Sequence, residues 1–261
     1  MIGLGIATDA LVNDGIVRRT RDDDRVVIDT PSRRDFWFGH GFVLDAPPDI
    51  TRVAALVEEG RARFAVLGAP RFVVQWERAY DAPDPVPDAP AGTLRERGLV
   101  MAYDGLVPHA DRRVVDHDAA RWDEAAALAS EQYPEFGDFT RWRFDCVRRD
   151  ARAGRARVVG IREDDRLLTT VGLYRGDGIA RFMMPVTRPA ARGRGLFAAC
   201  ARTLIAWANT DAPRRVVIVS DPDDGPVALY RRLGFVPASH LDAVIVPVPA
   251  ATPGETSPPV R

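Results

Sequence analysis

At 261 residues the chain is long enough for one large domain or two small ones, and 46% hydrophobic with 28% charged residues is an ordinary globular balance. A net charge of -1 offers no basic field for nucleic acid or an anionic membrane, and no apolar run is long enough to span a bilayer. All 36 basic residues are arginines, so no lysine can act as nucleophile or Schiff base.

The N-terminus, MIGLGIATDA, has neither a basic leader nor a long apolar core, so a cytoplasmic protein is expected. Ile16–Ile28 and Phe36–Leu44 have the composition of strands, followed by a helix over Ile50–Leu67 and a strand at Phe72–Trp76. Asp81 to Pro90 is proline-rich and reads as a stiff, solvated loop. A short helix containing Thr93–Arg97 is expected to stop at Gly98, before a strand at Leu99–Tyr103.

From Val107-Pro108 the pattern restarts and alternates cleanly. Arg112–Val115 is expected as a strand, and Asp118 as the cap of a helix with Trp122, Ala126 and Ala129 on one face. Asp138 is the expected cap of a second helix, carrying Phe139, Trp142, Cys146 and Arg149. Strands follow at Ala156–Arg162, Arg166–Tyr174 and Ile179–Val186, the last two joined by a tight turn at Gly176-Asp177-Gly178. Then come a glycine-rich turn, a helix from Leu196 to Trp207, and a strand at Arg215–Ser220. A short helix over Pro226–Leu233 should end at Gly234, leaving strand material at Phe235–Val236 and Ala243–Val248. The tail from Pro247 carries five prolines and is expected to be disordered.

This order predicts a mixed α/β sheet. Leu94–Val100 echoes Tyr230–Val236, and both halves run strand, strand, helix, strand, short helix, Gly, strand. The first half therefore reads as a degenerate, partial copy of the second. The boundaries expected are 1–110, 111–249 and a tail at 250–261.

Most of the chemistry is concentrated in Arg192-Gly193-Arg194-Gly195-Leu196-Phe197. A glycine-rich turn opening a helix presents free N–H groups and the positive dipole end, which suits a phosphate, and two arginines add cationic arms. Gly193 to Ala198 formally satisfies G-x-G-x-x-A. A dinucleotide fold is disfavoured, because Thr187 to Ala191 separates strand from glycine and the acidic candidate Asp211 lies before the next strand, beside Pro213. Cys146 and Cys200 read as buried hydrophobes, and His40, His109, His117 and His240 are too scattered to hold zinc, so no metal is expected.

Over about 112–249 the chain resembles the GNAT acetyltransferase superfamily. Arg188-Pro189-Ala190-Ala191-Arg192-Gly193-Arg194-Gly195 is similar to the family's pyrophosphate loop. Asp223 to Phe235, with Ala228, Leu229, Tyr230, Gly234 and Phe235, is similar to its second motif. Phe197 departs from the usual small residue, Asp223 from Asn and Pro226 from Ala. The resemblance implies a mixed sheet flanked by helices and direct acetyl transfer from acetyl-CoA to a primary amine of a small acceptor. A monomer or homodimer is expected, and charge, hydropathy and the scattered histidines point to neither metal, nucleic acid nor membrane.

The same resemblance places pyrophosphate on Arg192, Gly193, Arg194, Gly195, Leu196 and Phe197. Pantetheine would lie along Pro185, Val186 and Thr187, and Tyr230 would act as the acid that protonates the departing thiolate. Glu131 and Glu135, in the loop after the first helix, and His117 are candidate bases with none preferred. Tyr133, Phe136, Trp142 and Met183–Met184 are candidate walls of an acceptor pocket. The corresponding place in the first half, Leu44 to Asp49, has no Arg-Gly-x-Gly loop, so that half should not bind CoA. Two other functions remain open: a non-catalytic acyl-CoA sensor, and an interaction module.

Overall fold

A computed structural model describes residues 3–249 except 118, 133, 135, 136, 213, 224 and 225, so the expected cap Asp118 and the tail 250–261 lie outside the described residues. An N-terminal helix that the sequence pattern did not single out, α1 (Leu4–Val12), opens the fold. The chain forms two units. One comprises Asn13–Gly98 with the described residues of Met1–Ile6 and Ser239–Arg261; the other comprises Ala7–Val12 and Leu99–Ala238.

In the first unit, the stretch expected as one strand is a hairpin, β1 (Arg18–Asp22) and β2 (Arg25–Asp29), turning at Asp23 with φ +51°. A 3-10 turn at Trp37–Gly39 shortens the next strand to β3 (Gly41–Leu44). Helix α2 (Ile50–Val66) then crosses to β4 (Arg71–Ala79), which lies parallel to β3. Val53, Leu56, Val57, Gly60 and Phe64 recur at helical spacing and are buried. They pack with Phe42, Phe72, Val74 and Trp76, so the 3.6-residue period of α2 meets the two-residue period of the strands. The strand order here is β1-β2-β3-β4-β11, where β11 (Phe235–Pro247) runs antiparallel to β4 from Ser239↔Ala79 to Pro247↔Arg71. This pairing puts 239–247 with the first unit, so the division is not a single cut near 110. It also joins the two expected strand pieces, Phe235–Val236 and Ala243–Val248, into one strand.

The helix expected at Thr93–Arg97 does not form; Leu94–Tyr103 is a strand, β5. Its reason is tertiary. Asp242 is fully buried and ion-paired to Arg78 at 2.7 Å and Arg95 at 3.0 Å, while the Arg95 guanidinium lies 4.7 Å from the Trp76 ring centroid. A buried carboxylate left without its cations is costly, and that demand outweighs local helix propensity. The echo between Leu94–Val100 and Tyr230–Val236 is therefore one of sequence and not of structure. The proline-rich loop is also less solvated than its composition suggests: Val86 is buried, and Asp84 binds Arg95 and Arg97, each at 3.1 Å.

The second unit contains β6 (Val115–Asp116), shorter and later than expected, then α3 (Ala119–Gln132) and α4 (Gly137–Arg152). Asp138 falls inside the first turn of α4 rather than capping it. There follow β7 (Ala156–Glu163), β8 (Arg166–Arg175), β9 (Ile179–Thr187), α5 (Leu196–Ala208), β10 (Arg215–Ser220) and α6 (Pro226–Arg232). Asp164 and Asp165, both at positive φ, close the β7–β8 hairpin, as a two-residue hairpin turn requires. The order is β5-β10-β9-β8-β7-β6, antiparallel between β5 and β10 and from β9 to β6, with β9 and β10 parallel. Alternating residues supply two cores. Val159, Ile161, Val171 and Leu173 pack with Leu196, Cys200 and Leu204 of α5. Val158, Leu167 and Tyr174 pack with Trp122, Leu128, Phe144 and Val147 of α3 and α4. The result is a mixed sheet with helices on both faces.

Candidate functional site

The site begins where two parallel strands part. β9 and β10 pair only from Ile179–Arg181 to Arg215–Val217, after which β10 continues beside β5 and β9 stays with β8. Among the described residues, Phe182–Thr187 thus has no strand partner on the β10 side. A bulge marks the divergence: Thr170 faces Val186 and Gly172 faces Met183, leaving Met184 and Pro185 opposite Val171 alone. Met184 sits at φ +48°, and Pro185 has no N–H to give to a ladder. Bulges bend the strand that carries them, which steers the end of β9 out of the parallel pairing. Thr169 Oγ1 holds that end, donating to the Val186 carbonyl at 2.9 Å and lying 2.7 Å from Thr187 Oγ1.

After Thr187 the chain makes a 3-10 turn at Pro189–Ala191 and enters α5 through Gly193 and Gly195, at φ +76° and +71°. Both glycines have left-handed backbone, and a Cβ on either would meet nothing within 4 Å, so the space beside them is open. Gly195 is the N-cap and provides no side-chain cap. The N–H groups of Gly193 through Ala198 have no acceptor among the described residues; the first helical hydrogen bond is Ala199 N to Gly195 O at 3.1 Å. A helix start with this many open donors is a ready anion seat.

Three arginines surround the turn, each tied to a neighbouring element. Arg188 pairs with Glu131 at 2.6 Å, Arg192 donates to Gln132 Oε1 at 2.9 Å, and Arg194 pairs with Glu163. These partners were not visible in the sequence, because they come from the end of α3 and the end of β7. Phe197 is half-buried and turns its ring inward, 5.7 Å from Tyr230 and 6.4 Å from Phe182. Tyr230 is buried on α6 against Phe235 at 6.3 Å, beside the first turn of α5. The structure therefore brings the two sequence motifs to one mouth of the β9–β10 wedge.

The structure places the other expected residues as follows. Glu131 belongs to the last turn of α3 instead of a loop, and its carboxylate is engaged by Arg188. His117 follows β6 at the far edge of the sheet, bonded through Nε2 to Thr170 Oγ1 at 2.9 Å. Burial, with Arg121 nearby, pushes its pKa down to about 4. Met183 is buried and Met184 sits at the bulge, while Trp142 packs with Phe139 on α4. Tyr133, Glu135 and Phe136 lie outside the described residues. Both cysteines are buried and unbridged, and burial pushes the Cys200 thiol up to about 12, too high for a nucleophilic thiolate. Among the described residues there is no His/Cys/Asp/Glu group suited to a metal ion, and no helix is long and apolar enough to cross a membrane.

Comparison with known proteins gives a consistent result. The acetyltransferase (GNAT) family model matches residues 120–235, which covers the wedge, the turn and Tyr230. A functionally unknown conserved protein from Staphylococcus epidermidis ATCC 12228 shares the fold with a TM-score of 0.72 at 11% identity, covering 90% of this chain and 96% of that one. A GNAT-family protein of Novosphingobium aromaticivorans DSM 12444 is 26% identical, with a TM-score of 0.52 over 69% of this chain and 75% of that one. A GCN5-related N-acetyltransferase from Kribbella flavida is 22% identical, with a TM-score of 0.59 and 92% of each chain covered. No curated protein matches the sequence.

Proposed function

We propose, from the premise that residues 120–235 are a domain of the acetyltransferase (GNAT) family, that this chain is an N-acetyltransferase. It would move an acetyl group from acetyl-CoA directly to a primary amine of a small acceptor. The observation that carries this reading is the uncapped turn at Gly193–Gly195 opening onto the β9–β10 wedge, with Tyr230 beside it. The turn fits a pyrophosphate: six consecutive N–H groups without an acceptor among the described residues, open space beside Gly193 and Gly195, and arginines close by.

When bound, acetyl-CoA supplies a thioester whose carbonyl carbon is open to attack by an amine. Gly193 to Phe197 would hold the pyrophosphate through their N–H groups, with Arg192 and Arg194 supplying charge. Pro185, Val186 and Thr187, on the edge of β9 that has no strand partner on the β10 side among the described residues, would take the pantetheine arm. Backbone donors on that edge would stabilise the oxyanion that develops as the new C–N bond forms. Tyr230 would give its phenolic proton to sulfur as the C–S bond breaks. The amine must first lose a proton, to a side chain or an ordered water.

Purified full-length protein titrated with acetyl-CoA, then assayed for thiol release with a panel of primary amines, tests the reading. Binding with amine-dependent thiol release is expected. Binding without release for any amine would point instead to an acyl-CoA sensor. Absence of acetyl-CoA binding would overturn the proposal and favour an interaction module.

A further inference from the structure

A second cleft lies at the opposite edge of the same sheet, under the C-terminal half of α4. It encloses ≈ 350 Å³ and has His117, Trp122, Arg148, Arg152 and Val158 among its walls. β8 and β7 separate β6 from β9, so the cleft stands about 14 Å from the wedge, three strand spacings away. It is not part of the transfer site.

Its charges are unbalanced. Arg149 and Arg155, the neighbouring arginines, both pair with Asp150, at 3.2 and 2.5 Å. Arg148 and Arg152 have no ion-pair or hydrogen-bond partner among the described residues. They stand four residues apart on one face of α4, where like charges repel and destabilise the helix. His117 in the cleft wall is only 9% exposed, with its Nε2 held 2.9 Å from Thr170 Oγ1, so the imidazole is fixed in place. Between these polar groups the wall is apolar, formed by Trp122, Val158 and Ala156.

We infer that this cleft is a second binding site, for a small organic monoanion: a carboxylate held by Arg148 and Arg152, carrying an aromatic or branched apolar group. Two guanidinium groups match an oxyanion through paired N–H donors. A carboxylate is favoured over a phosphate because Asp116 lines the same cleft and would repel a dianion. Among the described residues, its own charge is matched by the pair with Arg157, at 2.7 Å. The ring or branch of the ligand would lie against Trp122 and Val158. His117, kept neutral by burial, adds no charge of its own to the wall.

Calorimetric titration of the full chain with phenylacetate, phenyl phosphate and inorganic phosphate tests this, with no acetyl-CoA present. Phenylacetate is expected to bind with a dissociation constant below about 1 mM, phenyl phosphate more weakly, and inorganic phosphate not measurably. Arg148→Gln and Arg152→Gln should each weaken phenylacetate by about tenfold, the scale of one charge-assisted hydrogen bond. Ala151→Phe, which fills the cleft without touching a charge, should abolish it. No binding of any probe, or phenylacetate binding unaltered in the arginine variants, would overturn the assignment. Inorganic phosphate binding as tightly as phenylacetate would also overturn it, since the apolar wall would then have no role. None of these outcomes depends on the transferase reading.

Discussion

The β3–α2–β4 crossover of one unit and the β9–α5–β10 crossover of the other share a topology: two parallel strands joined through a helix. Their helix starts are built from opposite chemistry. Before α2 the chain reads Asp45-Ala46-Pro47-Pro48-Asp49, and Asp49 caps the helix by accepting from Arg52 N at 2.7 Å. Asp45 is itself held by Arg21. Two prolines remove donors from that turn, and the two carboxylates make it anionic. Before α5 the turn has two left-handed glycines, no cap, a run of open N–H groups and three arginines. A parallel crossover therefore does not by itself make an anion seat. Who satisfies the first N–H groups of the helix decides it, and with what charge.

The comparison breaks most sharply if the closed chemistry is moved into the open turn. Gly195→Asp places a carboxylate where the pyrophosphate would sit, and like-charge contact should lower acetyl-CoA affinity about a hundredfold. Thermal melting of the same variant should show it folded. Unchanged affinity by calorimetry would remove the turn from the binding site.

Next in size is Tyr230→Phe. It should lower turnover by more than about tenfold while leaving acetyl-CoA affinity nearly unchanged, as loss of a general acid does. Equal turnover in a thiol-release assay would leave Tyr230 as a core aromatic beside Phe197 and Phe235. The reciprocal change in the first unit, Asp49→Ala, removes a cap. It should cost about 1 kcal/mol in urea denaturation and leave acetyl-CoA binding alone. An effect on binding would contradict the assignment of that crossover as closed.

The smallest effect is expected at Glu163. Its pair with Arg194 is half-exposed on both sides, so Glu163→Gln frees that guanidinium at little structural cost. Acetyl-CoA should then bind about two- to threefold more tightly at low ionic strength, with the gain fading as salt is added. Weaker binding would mean that Glu163 positions Arg194 instead of competing for it.

Much of the second unit was legible in the sequence because its signals are local. Gly176-Asp177-Gly178 names its own turn, and Gly178 takes φ +70°. Alternation marks β7, β8 and β9, and the 3.6-residue period marks α5. The first unit was harder to read. Leu94 to Arg97 has helix-forming residues but lies in a strand, because Arg95 is claimed by Asp242, more than a hundred residues away in sequence. Ile16–Ile28 concealed a hairpin whose turn, Asp23-Asp24, carries no glycine.

For the candidate site the division is similar. Glycine and arginine spacing located the turn, and Tyr230 with Gly234 located its companion motif, since backbone freedom and short helices leave local marks. The acids that hold the arginines left none, nor did the meeting of Arg148, Arg152 and His117 in one cleft. Those juxtapositions exist only once α3, α4, β6 and β7 are packed. By itself the sequence determined which segments are strands and helices in this unit, and where a helix start lies open. Only the tertiary structure decided where β9 leaves β10, because that wedge depends on competition between ladders. β8 retains the bulged end of β9 while β5 takes the free edge of β10. No short stretch of sequence encodes the outcome of that competition.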